Sequence, residues 1–114
     1  MKLAHNPLVA VGGPEAVAVD GQSLYLYNLG ITCIELGRLE EAETALSRSF
    51  ALSPRDYEIA TELATVQFNR HRIDEARRTL ENFLAKSPDH PRSQETKTRL
   101  RSLERQAGGP QSRS

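Results

Sequence analysis

SLYLYNLGITCIELGRLEEAETALSRSFALSPRD (residues 23–56) runs directly into YEIATELATVQFNRHRIDEARRTLENFLAKSPDH (residues 57–90), and the two blocks align position by position. At a fixed offset of 34 residues, Leu29 falls on Leu63 and Arg38-Leu39-Glu40-Glu41-Ala42 on Arg72-Ile73-Asp74-Glu75-Ala76. Leu46 falls on Leu80, and Ser53-Pro54 on Ser87-Pro88. A period of this length marks one supersecondary unit used in tandem, and helical units of this size bury their apolar faces by stacking into a solenoid.

The punctuation within each block fits helices. Four are expected near residues 22–36, 40–52, 55–69 and 74–86, with a fifth near 92–106. Asp20 stands near the first start and Gly37 at its end. Ser53-Pro54-Arg55-Asp56 reads as a helix start, with Ser53 as cap, Pro54 at the first position and Asp56 three residues after the cap. The first helix carries two apolar stripes at helical spacing. Leu26, Leu29, Cys33 and Leu36 form the inward one, and Leu24, Tyr27, Ile31 and Ile34 the other. The second helix offers Ala42, Ala45, Leu46 and Ser49 to the first, and the small Gly30 and Ala42 let the two axes approach closely. The third turns Ile59, Ala60, Leu63, Ala64 and Val66 inward; the fourth presents Ala76, Leu80, Phe83 and Leu84. In the fifth only Leu100 and Leu103 are apolar, which suits a capping helix that shields the last apolar edge of a solenoid.

These spacings match a known pattern. Repeat one reads Leu26-x2-Leu29-Gly30-x2-Cys33, then Ala42-x3-Leu46, then Pro54, and includes the run Tyr27-Asn28-Leu29-Gly30. Repeat two reads Ala60-x2-Leu63-Ala64-x2-Gln67, then Ala76-x3-Leu80, then Pro88. Residues 23–90 thereby resemble the tetratricopeptide repeat family, with Leu or Ala in place of its large aromatic and Cys33 or Gln67 in place of its Tyr. Residues 91–106 depart from it, since Gln94, Lys97 and Thr98 stand at its aromatic, Leu and Gly positions. The resemblance implies an all-α, right-handed helical-hairpin solenoid that binds other proteins without catalysis. It also implies a concave groove lined by Leu24, Tyr27, Ile31 and Ile34 in repeat one and by Glu58, Thr61, Thr65 and Phe68 in repeat two. Arg92, Glu95 and Arg99 of the capping helix follow. One subgroup of the family grips C-terminal carboxylates with Lys and Asn at places held here by Tyr27 and Ile31, so that activity is not expected.

The expected organisation is an irregular segment over 1–22, repeats over 23–56 and 57–90, a capping helix over 91–106 and a disordered tail over 107–114. In the first segment, Leu8-Val9-Ala10-Val11 and Ala16-Val17-Ala18-Val19 flank Gly12-Gly13-Pro14-Glu15. Two strands of a hairpin read this way, and so does a short helix opening at Pro14. The second stripe of the first helix lacks a preceding repeat to cover it. Residues 7–19 or the same surface of a second copy would serve, giving a homodimer through the first helix and the N-terminal segment.

Composition narrows the remaining classes. The chain has 114 residues, 38% of them apolar and 5% aromatic, with no Trp, so its core is thin and aliphatic. A single cysteine excludes an internal disulfide and a multi-cysteine zinc site, and a reduced cytoplasmic setting is the simplest expectation. No apolar run reaches the ~20 residues of a membrane span, and Met1-Lys2-Leu3-Ala4-His5-Asn6-Pro7 lacks a signal-peptide core. Formal charge is zero, yet residues 1–69 hold nine acidic and four basic side chains against six and eleven in residues 70–114. Arg92, Lys97, Arg99, Arg101 and Arg105 form the basic rear. No aromatic accompanies them for base stacking and Glu95 and Glu104 interrupt them, which disfavours nucleic acid.

No catalytic, cofactor or metal constellation is apparent. His5, His71 and His90 lack ligand spacing, and the last two read as surface turn residues. Cys33 reads as a buried structural thiol. The acidic run Glu40-Glu41-Ala42-Glu43 opens a helix, where the backbone dipole favours negative charge. Gly12-Gly13 lacks the further glycines and the Lys of a phosphate loop. The function expected is an adaptor or assembly scaffold for a protein or peptide; the alternative is a self-associating structural module.

Overall fold

The protein is described by a computed structural model covering the backbone of residues 21–112 and the side chains of residues 21–106. Expectations for residues 1–20, including Asp20 as a cap and residues 7–19 as a cover, lie outside the described residues. The described chain is all-α: α1 Gly21–Glu35, α2 Leu39–Leu52, α3 Tyr57–Asn69, α4 Ile73–Lys86 and α5 Ser93–Ser112, with no strand among these residues.

Both hairpin turns have one geometry. Gly37 ends α1 at φ 77°, and its repeat partner His71 follows α3 at φ 64°. The next N–H then returns to the helix in each case, Arg38 to the Cys33 carbonyl and Arg72 to the Gln67 carbonyl, both at 2.8 Å. This is the left-handed closure by which a helix satisfies its last carbonyls. Glycine adopts it freely; histidine adopts it at a cost.

The turn between the hairpins differs from expectation. Ser53 closes α2 instead of opening α3, since its N–H donates to the Ser49 and Phe50 carbonyls. The cap of α3 is Asp56, in extended conformation, whose carboxylate accepts from the Ile59 N–H at 3.1 Å. The Ser53 hydroxyl has no hydrogen-bond partner among the described residues, because a turn closed by the Asp56 N–H on the Ser53 carbonyl separates it from the start of α3. At the far end, α5 continues to Ser112, past the expected boundary near 106.

Packing follows the repeat. Leu46 of α2 lies so close to Gly30 of α1 that a Cβ there would sit 2.6 Å from its Cγ. Around this contact, Cys33, Ala42, Leu46, Leu63 and Val66 form one core cluster, which links α1 and α2 to α3. Ala64, Ala76, Leu80 and Leu103 form a second, which links α3 and α4 to α5. The odd helices therefore neighbour one another across the repeats, and Leu103 of α5 closes the last edge. Ser23 and Ser49, both fully buried, exchange side-chain and main-chain hydrogen bonds between the start of α1 and the end of α2. Their equivalents in repeat two are Tyr57 and Phe83, which meet edge to face with ring centroids 5.9 Å apart.

Three further readings change. Leu29 and Leu36 are 40% and 64% exposed, so only Leu26 and Cys33 of the inward stripe are buried. Tyr27 and Ile34, from the stripe expected to need a cover, instead pack against the first core cluster because α3 lies beside them. Among the described residues, the large apolar side chains left exposed are Tyr25, Leu29, Leu36 and Leu52, all in repeat one. Glu43, finally, does more than favour the helix dipole. It is buried, and its carboxylate accepts from Gln67 Nε2 at 3.1 Å, Arg70 Nη1 at 2.5 Å and Arg72 Nε at 3.2 Å. Gln67 in turn accepts from the Thr79 hydroxyl at 2.7 Å. A polar chain thus crosses from α2 through α3 to α4 and ties the two repeats.

Candidate functional site

The face made by α1, α3 and α5 carries the expected groove residues. On α1, Leu24, Tyr27, Ile31 and Ile34 are half-buried. On α3, Glu58 is exposed, while Thr61, Thr65 and Phe68 are half-buried, and the Thr65 hydroxyl donates to the Thr61 carbonyl at 2.8 Å. On α5, Arg92, Glu95 and Arg99 are exposed.

Thr65, Phe68 and Arg99 are brought together. With Ala64, Ser102, Leu103 and Gln106 they line a cleft between α3 and α5. Its floor is apolar because Ala64 and Leu103 belong to the core, and Phe68 packs partly onto the same cluster. Thr65, Arg99, Ser102 and Gln106 supply the polar part of its lining. A cleft of this kind accepts an apolar side chain and leaves a cation beside the backbone that carries it.

Toward the N-terminal half of α3 the face turns acidic. Glu62 lies among half-buried groups, and burial followed by the charge of Glu58 raises its carboxyl above the usual range, with Arg99 opposing. The Tyr27 phenol is raised as well, by burial first and then by Glu62, Glu58 and Asp56. Glu62 was absent from the expected groove set. Its place in the helix, four residues after Glu58 and thus one turn on, was the available signal.

Arg92 is engaged at the groove's edge. It donates to Glu95 at 2.6 Å and sits over the Tyr57 ring, 5.1 Å from its centroid. The Tyr57 hydroxyl reaches the same Glu95 oxygen at 3.2 Å. That arginine hydrogen bond is the first cause holding the Glu95 carboxyl below its ordinary range. His90 completes this cluster and is not a plain surface turn residue. It stacks on Tyr57 at 5.7 Å and meets Phe83 edge-on at 5.2 Å, while its Nδ1 accepts from the Arg92 N–H. It thereby closes the end of the second hairpin against the start of α5.

A second cleft lies on the opposite side of α1, between α1 and α2, lined by Leu26, Leu29, Glu40, Glu41, Thr44, Ala45 and Arg48. Cys33 is buried. Among the described residues, no group of three or more His, Cys, Asp or Glu could hold a metal ion. No helix among them is long and apolar enough to cross a membrane.

Comparison with curated proteins and with solved structures returned no match. The sequence model of one family, the tetratricopeptide repeat, matches residues 34–100. This match spans more than half of the chain, including α2, α3 and α4, and agrees with the doubled hairpin and its shared turn. The chain belongs to the tetratricopeptide repeat family.

Proposed function

We propose that the protein is a non-catalytic adaptor or assembly module that takes a peptide or helix of a partner protein along its α1–α3–α5 face. Tetratricopeptide repeats generally mediate protein–protein interaction, and the observation that supports this site is the cleft of Thr65, Phe68 and Arg99. An apolar pocket flanked by a few placed polar groups suits recognition of a segment with an apolar anchor. Affinity capture with the full chain, followed by binding of the captured segment to variants, tests the reading. Phe68→Ala should weaken binding by ~1 kcal/mol or more, as truncation of an aromatic anchor tends to do. Thr65→Arg, which places a long side chain in the cleft, should also weaken it. Arg48→Ala, in the cleft between α1 and α2, should leave it unchanged. Equal losses at Phe68 and Arg48 in folded variants would refute a groove-centred site.

A second reading is self-association through α1. It is favoured by the exposure of Tyr25, Leu29, Leu36 and Leu52 on repeat one. Contiguous apolar surface on a small domain often marks an interface. Solution mass across protein concentration separates the readings, since a monomer at all concentrations leaves only the groove.

A further inference from the structure

We infer that the segment bound on this face is basic and amphipathic, with one apolar residue in the Phe68–Leu103 cleft and a Lys or Arg lying over Glu58 and Glu62. The inference rests on the proposed groove and adds the chemistry of its occupant. Two features of the face fix that chemistry, one shared by α3 and α5 and one on α3.

The first is the position of the apolar cleft at the C-terminal half of α3, where Ala64, Phe68 and Leu103 form floor and wall. The second is the acidic stretch at the N-terminal half. Glu58 and Glu62 stand one turn apart on the same side of the helix, and neither has an ion-pair partner among the described residues. The nearby cations do not neutralise them. Arg92 is held first by Glu95 and by the Tyr57 ring, and Glu58 acts on it only as the last and weakest influence. Arg99 acts on Glu62 more weakly than burial and Glu58 do, so the Glu62 carboxyl stays raised. The Tyr27 phenol on the facing helix is raised partly by the same two carboxylates. Two carboxylates one turn apart, without an ion-pair partner among the described residues, are complemented by a cation from outside.

Helix geometry sets the spacing of the occupant. At about 1.5 Å per residue, Glu62 and Glu58 lie roughly 9 and 15 Å along α3 from Phe68. An extended segment rises about 3.3 Å per residue, so its basic residue falls about three to five positions from its apolar anchor. Arg99 beside the cleft discourages a cation next to the anchor itself. An acidic segment would meet Glu58 and Glu62 as like charges, which costs affinity and slows encounter.

The test uses the full chain and a displayed library of random dodecapeptides as the probe. An enriched peptide is then synthesised, together with a copy in which its basic residues are replaced by Glu. Binding of both is measured by fluorescence polarisation to the native chain, to Glu58→Gln/Glu62→Gln and to Phe68→Ala. The enriched set should share an apolar residue with Lys or Arg a few positions away. The charge-swapped peptide should bind the native chain about tenfold more weakly or worse, and the difference should shrink to about twofold on the double variant. Added salt should weaken the native complex more than the double-variant complex. If Phe68→Ala weakens binding but charge makes no difference, the groove stands and the basic occupant is wrong. If Phe68→Ala changes nothing, or no peptide is enriched, the groove reading and this inference both fall. Both substituted glutamates lie outside the core clusters, and circular dichroism confirms that each variant is folded.

Discussion

Replacing Glu43 with Ala tests how the two repeats are joined. Three donors from the second repeat converge on this carboxylate: Gln67, Arg70 and Arg72. Removing one partner of a fully buried ion pair costs about 3–5 kcal/mol. That limit does not apply in full here, because the Arg70 and Arg72 side chains are 28% and 45% exposed and can turn to water. Each of these pairs is then worth nearer the surface value, about 0.5 kcal/mol. Gln67 has no such escape. It is 5% exposed, and its amide would lose an acceptor inside the protein. An orphaned buried donor costs about 1–3 kcal/mol. The sum is about 2–4 kcal/mol. For a domain of this size it corresponds to a fall in Tm of roughly 8–16 °C. Urea unfolding followed by helical circular dichroism measures the loss. A smaller m-value would show in addition that the repeats had ceased to unfold together. The matched controls are Glu40→Ala and Glu41→Ala, exposed acids in the first turn of the same helix. If helix-dipole stabilisation were the whole role of Glu43, all three variants would lose a similar few tenths to 1 kcal/mol. A Glu43→Ala loss no larger than that of the controls would refute the inter-repeat network.

Three other outcomes follow from the packing and the charges. His71→Gly should stabilise the protein by about 0.5–1 kcal/mol, because glycine adopts the positive φ of this turn without the histidine's Cβ penalty; thermal unfolding that shows a loss would contradict the shared turn. Gly30→Ala should destabilise by about 1–2 kcal/mol despite alanine's better helix propensity, since its Cβ would meet the fully buried Leu46. A rise in Tm would show that the α1–α2 contact has slack. The two groove-face carboxyls should respond oppositely to pH. The raised Glu62 opposes folding when ionised, so Glu62→Gln should stabilise at neutral pH, with the gain vanishing as pH falls below the ordinary carboxylate range. The lowered Glu95 supports folding when ionised, and that support is lost as pH falls through its depressed value, so Glu95→Gln should destabilise only above it. Stability curves for both variants across acid pH check the two signs.

The fold was legible because its determinants are local and repeated. Leu46 and Leu80, Ala42 and Ala76, and Gly37 and His71 recur at one spacing, and each pair plays one structural part in both hairpins. What escaped was set by contacts between repeats. Ser53 looked like a helix cap because Ser-Pro is a strong local start signal, but a turn over residues 53–56 moves the start of α3 to Tyr57 and the cap to Asp56. Leu29 and Leu36 satisfied helical spacing, yet spacing does not say whether a neighbouring helix exists to cover them. Glu43 read as a dipole partner because Gln67, Arg70 and Arg72 lie far along the chain and meet it only after the hairpins stack. Tyr57, Phe83 and His90 were similarly hidden, since an aromatic cluster built from three elements leaves no periodic trace. For the candidate site, the family pattern supplied the positions on α3 and α5, and the structure added the cleft at Phe68 and the acidic pair with Glu62.

The central claim is that partners bind on the α1–α3–α5 face, and amide chemical-shift mapping of the full chain with a captured peptide tests it most directly. The account predicts that the largest perturbations on titration fall on Thr61, Thr65 and Phe68 of α3 and on Arg99 and Ser102 of α5, with smaller ones at Tyr27 and Ile31. Amides of α2 and α4 that face away, such as those of Arg48 and Arg78, should hardly move. Perturbations centred on Leu29, Thr44 and Arg48, with the α3–α5 cleft silent, would contradict it and place the interface on the exposed apolar side of repeat one.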